Sequence, residues 1–90
     1  MKTEKKEINT RALMLFKVHK EDRHELQFLL EDCKHTRWVA KINNGYNLLA
    51  EVGFEHIKAM SDWLEELEDG FTFIEIAMFF IIDDLKGGLK

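Results

Sequence analysis

The chain has 90 residues, a formal net charge of −4 and no proline; 46% of its residues are hydrophobic and 33% are charged. This composition excludes a disordered chain and indicates one folded domain with a modest core. A single cysteine, Cys33, and an N-terminus without an apolar signal segment indicate a reducing, cytoplasmic setting. We expect one domain over residues 1–90, with residues 1–9 as a mobile tail.

The charge is unevenly distributed along the chain. Residues 1–50 carry ten basic and seven acidic side chains, whereas residues 51–90 carry three basic and ten acidic ones. Such a division bears on partners and association rates rather than on the fold. It predicts a basic half and an acidic half, each suited to a partner of opposite charge.

Two segments open the folded part of the chain. Residues 12–19 (ALMLFKVH) form an apolar run that predicts a strand. Residues 22–33 are ambiguous, because their apolar positions fit both the alternation of a strand and the spacing of a helix. The polar break at residues 20–23 has a common hairpin length, so we favour a strand, with a helix as the alternative.

A β-hairpin is the clearest local pattern in the sequence. Residues 36–43 (TRWVAKIN) alternate as a strand does, and residues 46–52 (YNLLAEV) return as its partner. Asn43, Asn44 and Gly45 lie at the turn, where Asn and Gly tolerate positive φ.

Residues 54–68 predict an amphipathic helix. Ile57, Met60, Leu64 and Leu67 recur at helical spacing and form its apolar stripe. The remaining surface is strongly acidic and offers candidate partner-binding residues. These are Glu55, Asp62, Glu65, Glu66, Glu68 and Asp69.

Residues 71–85 (FTFIEIAMFFIIDDL) are mostly apolar, and we predict a second helix for them. Thr72 and Glu75 have the spacing of a capping box, which favours the helix over the alternative, a buried strand. On such a helix Phe79 is the one apolar residue on an otherwise polar stripe. An exposed aromatic among charges is typical of an interface anchor, so Phe79 joins the candidate partner-binding residues. The alternative is that the helix is central and Phe79 is a core residue.

Together these elements predict an α+β domain, with an antiparallel sheet of three or four strands and two C-terminal helices packed on one face. If residues 22–33 form a helix instead of a strand, the sheet is smaller and the α+β class is unchanged.

No catalytic, metal or cofactor motif stands out. His19, His24, Cys33 and His35 are close in sequence, but their spacing lacks the tight ligand pairs of zinc sites. No glycine-rich nucleotide loop and no nucleophile motif is present. We therefore expect neither an enzyme nor a metal or cofactor site, and the apolar run at residues 71–85 is too short to span a membrane.

The charge division favours a non-enzymatic protein-binding module, an inhibitor or adaptor that docks a basic surface of a larger partner. In size, acidity and lack of motifs the chain resembles small phage-encoded inhibitors, anti-CRISPR proteins among them. The first alternative is a single-stranded nucleic-acid binder that uses the basic half with Trp38 and Tyr46, although the net acidity disfavours direct nucleic-acid contact. The second alternative is a homodimer formed through residues 71–85.

Overall fold

The structure is a computed structural model that describes residues 8–43 and 45–85. The chain forms the sequence of elements β-α-β-β-α-β. Their bounds are β1 Thr10–Val18, α1 Arg23–Asp32, β2 Thr36–Lys41, β3 Leu48–Phe54, α2 Ile57–Gly70 and β4 Phe73–Phe80, with a 3-10 turn, Lys20–Asp22, before α1.

The four strands make one antiparallel sheet in the order β2-β3-β1-β4. This is the ferredoxin-like arrangement, in which each helix connects two strands that have a third strand between them. Both helices pack on the same face, so the predicted α+β class with a four-stranded antiparallel sheet and two helices is confirmed. The order of elements differs, because α1 lies between β1 and β2 and the last described element is a strand.

The core lies between the sheet and the helices. Every second residue of β1 and β3 points into it, and each helix contributes residues at helical spacing. Its buried members include Ala12, Met14, Phe16 and Val18 from β1, Leu48, Ala50, Val52 and Phe54 from β3, and Leu26, Leu30, Met60 and Leu67 from the helices.

Residues 22–33 form α1, so the favoured strand is wrong and the alternative helix is right. Leu26 and Leu30, one helical turn apart, are fully buried, whereas Phe28 is 63% exposed. A strand would have placed all three on one face. A helix is favoured because it buries Leu26 and Leu30 together. The polar residues before it form a 3-10 turn rather than a hairpin loop.

Residues 71–85 contain strand β4, so the predicted second C-terminal helix is wrong. Ala12 to Val18 of β1 pair with Phe80 to Phe73 of β4 along almost their whole length. The capping-box pattern of Thr72 and Glu75 is a local signal for a helix. Pairing with the free edge of β1 stabilises a strand here instead. The segment is rich in Phe and Ile, which are common in strands.

The other predicted elements are confirmed with small shifts. The strand at residues 12–19 is β1, the hairpin strands are β2 and β3, and the helix at residues 54–68 is α2. Gly45 has φ +89°, as the turn requires, whereas Asn44 lies outside the described residues. The predicted mobile tail falls largely on residues 1–7, which also lie outside them.

Asn47 fixes the hairpin loop against the end of β1. Its backbone N–H donates to the Phe16 carbonyl at 2.8 Å, and the Val18 N–H donates to its side-chain Oδ1 at 2.7 Å. Both bonds satisfy backbone groups where the β1 ladder ends. The residue before Asn47, Tyr46, lies beside the face of the sheet that is turned away from the helices.

Candidate functional site

One face of the sheet is left uncovered by the described residues, and we call it the open face. The strand pairing shows which residues lie on this face, because residues directly opposite each other on neighbouring strands point to the same side of the sheet. Leu13 of β1 lies between Glu51 of β3 and Phe79 of β4, and Leu15 lies between Leu49 and Ala77. Apolar side chains therefore occupy the middle of a surface that no helix covers.

A buried carboxylate holds one side of the open face together. Glu51 is only 2% exposed. Its Oε2 accepts from Arg11 Nη1 at 3.2 Å and from Arg37 Nε at 3.1 Å, and its Oε1 accepts from Trp38 Nε1 at 3.2 Å. Arg11 also donates through Nη2 to Asp84 at 2.6 Å. We call these five residues the Glu51 cluster.

The Glu51 cluster ties three strands and the segment after β4 to one point. An ionised carboxylate inside a sheet is costly unless charged donors surround it, and here two guanidiniums and an indole do so. Sequence reasoning missed Glu51, because in the hairpin pattern it reads as an ordinary solvent-facing acid. Arg11 is 40 positions away, so no local spacing reveals the pair.

Removing the charge of Glu51 leaves two guanidiniums facing each other across an amide. Glu51→Gln is expected to lower the free energy of unfolding by about 2–3 kcal/mol, less than for a wholly buried pair because the Arg11 and Arg37 side chains are 19% and 30% exposed. Urea unfolding at one protein concentration measures it. Glu75→Gln, an exposed acid on the same face, is the matched control and should cost less than about 1 kcal/mol. Equal stability of the two variants would contradict the role of the cluster.

At the opposite corner of the open face, Tyr46 contacts Glu75. The Tyr46 hydroxyl donates to Glu75 Oε2 at 2.8 Å, although Tyr46 lies in the β2–β3 loop and β1 lies between β3 and β4. The hydrogen bond to Glu75 raises the pKa of Tyr46 above 10.0, and desolvation and the negative charge of Glu75 act in the same direction. The phenol is thus held in its protonated, donating form.

Tyr46 is the only tyrosine in the chain, so its titration can be read directly. Glu75→Gln is expected to move the pKa of Tyr46 back toward 10.0, because it removes the carboxylate that disfavours tyrosinate. The absorbance change at about 295 nm across pH 8–12 measures the midpoint, with circular dichroism as the check on folding. Because the folded-state pKa is the higher one, this contact stabilises the fold below pH 10 and is lost as pH rises through the raised value. An unchanged midpoint would mean that the contact is absent in solution.

Phe79 remains exposed, but on a strand rather than on a helix. It is 57% exposed and lies on the open face beside Leu13. The reasoning that selected it assumed the wrong secondary structure, yet the side chain does stand among charged groups on an uncovered surface. Its role in partner binding stays a prediction.

The acidic candidates lie away from the open face. Glu55 precedes α2, and Asp62, Glu65, Glu66, Glu68 and Asp69 are exposed on the solvent side of that helix. Asp62 pairs with Lys58 at 3.2 Å, one turn apart, as their spacing predicts. The role of these acids in partner binding stays a prediction.

A cleft opens at the end of the sheet where β1 begins and β3 ends, and we call it the Gly53 cleft. One lobe, of about 340 Å³, is bordered by Ile8, Lys34, His35, Gly53, Phe54, Glu55 and Ala59. The adjoining lobe, of about 510 Å³, extends along Thr36, Arg37 and Trp38. The His35 ring stacks on Phe54 at a centroid distance of 4.2 Å. Volumes of this order fall within the range of small-molecule sites.

The Ile8 side chain lies against Gly53 at the border of the cleft. A Cβ at Gly53 would lie 2.8 Å from Ile8 Cγ2, so a larger residue here would displace the Ile8 side chain. The Gly53 N–H donates to the His35 carbonyl, and the Asn9 N–H donates to the Phe54 carbonyl. These bonds position the basic residues of the α1–β2 turn beside the end of β3.

The described residues contain no group of three or more His, Cys, Asp or Glu side chains able to hold a metal ion. Within the same part of the chain, no helix is both long and apolar enough to cross a bilayer. The aromatic and basic groups proposed for nucleic-acid binding are partly engaged, because Trp38 and Arg37 contact Glu51 and Tyr46 contacts Glu75.

The sequence matches no family profile and no curated protein sequence. Solved structures do share the fold. A transcriptional regulator from Neisseria meningitidis, solved in complex with L-Met, superposes with a TM-score of 0.79 at 11% identity, covering 89% of this chain and 54% of that one. An AsnC-family transcriptional regulator from Agrobacterium tumefaciens gives 0.76 at 8% identity, again with coverage of 89% and 54%.

A hypothetical protein from Pyrococcus horikoshii matches along its whole length, with a TM-score of 0.74, 12% identity and 91% coverage of this chain. The chain thus spans about half the length of the two regulators and the full length of this smaller protein. At these identities the likeness shows a common fold.

These comparisons correct the functional prediction. The interpretation as an acidic inhibitor of the phage type, anti-CRISPR proteins included, is wrong, because structures of this fold include domains of transcriptional regulators. Size, acidity and the absence of motifs are properties that many small domains share, and so they could not separate the two classes.

Proposed function

We propose that the chain is a non-enzymatic regulatory domain that self-associates through the open face and takes a small-molecule effector. The observation that carries the proposal is the uncovered apolar face, on a fold that also makes up about half of each of two transcriptional regulators. Neither step needs a catalytic group.

The open face suits a second copy because it is apolar at its centre. Phe79 is exposed beside Leu13, and the next pair of residues on the same face is Leu15 and Leu49. Contiguous apolar surface of this kind is characteristic of an interface, and two-fold symmetry lets the same patch serve both partners.

Its charges also favour self-association. Three cationic side chains on the face are matched by three carboxylates: Arg11, Lys17 and Arg37 against Glu51, Glu75 and Asp84. Two copies brought face to face therefore meet without net repulsion. The acidic side of α2 would repel its own copy, and in this arrangement it points outward.

This arrangement revises the predicted homodimer through residues 71–85. The segment contributes as strand β4 rather than as a helix, and Phe79 is its contact residue.

Phe79→Asp is expected to convert the dimer to a monomer, because a charge replaces the apolar anchor at the centre of the interface. The association should weaken by at least about 2 kcal/mol. Sedimentation equilibrium over a range of concentrations measures it. Phe28→Asp is the matched control, since Phe28 is 63% exposed but lies on α1, away from the open face.

The control should stay dimeric, and both variants should keep the circular dichroism of the parent. A monomeric parent at about 100 μM, or a dimeric Phe79→Asp, would refute self-association through the open face.

The effector is addressed by a thermal-shift screen of the twenty amino acids, with L-methionine first because of the Neisseria structure. A ligand at ten times its Kd stabilises the native state by about 1.4 kcal/mol, which raises Tm by about 6–11 °C for a domain of this size. The matching D-amino acid is the control for non-specific solute effects. A panel without any shift at 10 mM would count against an amino-acid effector.

A further inference from the structure

The Gly53 cleft lies apart from the centre of the open face, and its lining combines two kinds of surface. Phe54 is almost fully buried and forms apolar wall together with Ile8 and Ala59. Lys34 and His35 supply basic groups from the α1–β2 turn. An apolar wall with a few convergent polar groups is the usual composition of a small-molecule site.

We infer that the Gly53 cleft binds a small carboxylate with an apolar body. The inference rests on the proposed function, because it gives the effector a site and a chemical class. The carboxylate lies against the Lys34 ammonium and the His35 imidazole, and the apolar body lies along Phe54 and Ala59. A charge-assisted hydrogen bond from an ammonium is the strongest single contact available to such a ligand.

Size supports this class of ligand. The lobe beside Phe54 has a volume of about 340 Å³, near the lower end of the range for small-molecule sites. A ligand of a few carbon atoms fits a volume of this size.

The same chemistry can come from a free amino acid or from a simple carboxylic acid. Glu55, an acidic residue, borders the same lobe. An α-ammonium group would be attracted to Glu55, whereas a simple acid would gain nothing there. The two sources therefore differ in how they respond to a change at Glu55.

The test uses the full chain, labelled with ¹⁵N, and two probes of the same shape, L-leucine and 4-methylpentanoate. Binding in the cleft should shift the amide signals of residues 34–37 and 53–59. Lys34→Ala should raise the Kd of the bound probe about tenfold or more, because it removes the charged donor. Lys41→Ala is the matched control, since Lys41 is an exposed lysine at the far end of β2.

A second variant separates the sources. Glu55→Gln should weaken L-leucine several-fold and leave 4-methylpentanoate unchanged if the ligand is an amino acid. If only 4-methylpentanoate binds, and Glu55→Gln has no effect, the ligand is a simple carboxylate.

The outcomes that overturn the inference also separate it from the proposed function. Shifts confined to other residues, or equal Kd values for Lys34→Ala and Lys41→Ala, would refute the cleft while leaving an effector elsewhere. Binding of neither probe would refute the cleft as well. A monomeric chain that still binds 4-methylpentanoate at residues 34–37 would refute the proposed self-association and keep the cleft.

Discussion

The central strand β1 is the constraint from which the rest of the structure follows. It is hydrogen-bonded along both edges, to β3 and to β4, and its residues are apolar on both faces. Met14 and Phe16 point to the helices, whereas Leu13 and Leu15 point away from them. Two helical connections can cover one face of a four-stranded sheet, so the second apolar face is left for another occupant. The uncovered surface is thus a consequence of the topology, not of a local irregularity.

The Glu51 cluster limits how that face can be used. A carboxylate that is 2% exposed must keep its donors, so Arg11, Arg37 and Trp38 are held in fixed positions beside the apolar centre. The cluster satisfies its own charges and offers a partner little net charge. If a second copy binds this surface as proposed, specificity would come from shape and from the exposed ring of Phe79 rather than from net charge.

The sequence predicts those elements whose periodicity is unambiguous. The strand at residues 12–19, the hairpin and α2 were all recognisable, because one pattern dominated each. Residues 22–33 and 71–85 failed for the same physical reason: a plausible local signal competed with pairing or burial that depends on distant residues. The candidate site was harder to predict from the sequence than the elements of the fold. Glu51 depends on Arg11, 40 positions earlier, and the Gly53 cleft is bordered by Ile8, whose side chain lies against a glycine 45 positions later. Phe79 was selected as an exposed anchor, but from a helix that does not exist.

Arg37 and Trp38 lie at both surfaces, because both border the Gly53 cleft and both donate to Glu51. Arg37 donates through its Nε at 3.1 Å. The register of β2 against β3 shifts between Thr36 and Trp38, so this arginine lies where the ladder is irregular and its backbone has room to adjust. A ligand that drew the guanidinium into the cleft would have to weaken its bond to Glu51, which would leave the buried carboxylate short of one donor. The cost would fall on the open face, because Arg11 and Trp38 share the same carboxylate. If the cleft and the open face are both occupied as proposed, Arg37 is a side chain through which a ligand at one site would change the binding free energy at the other.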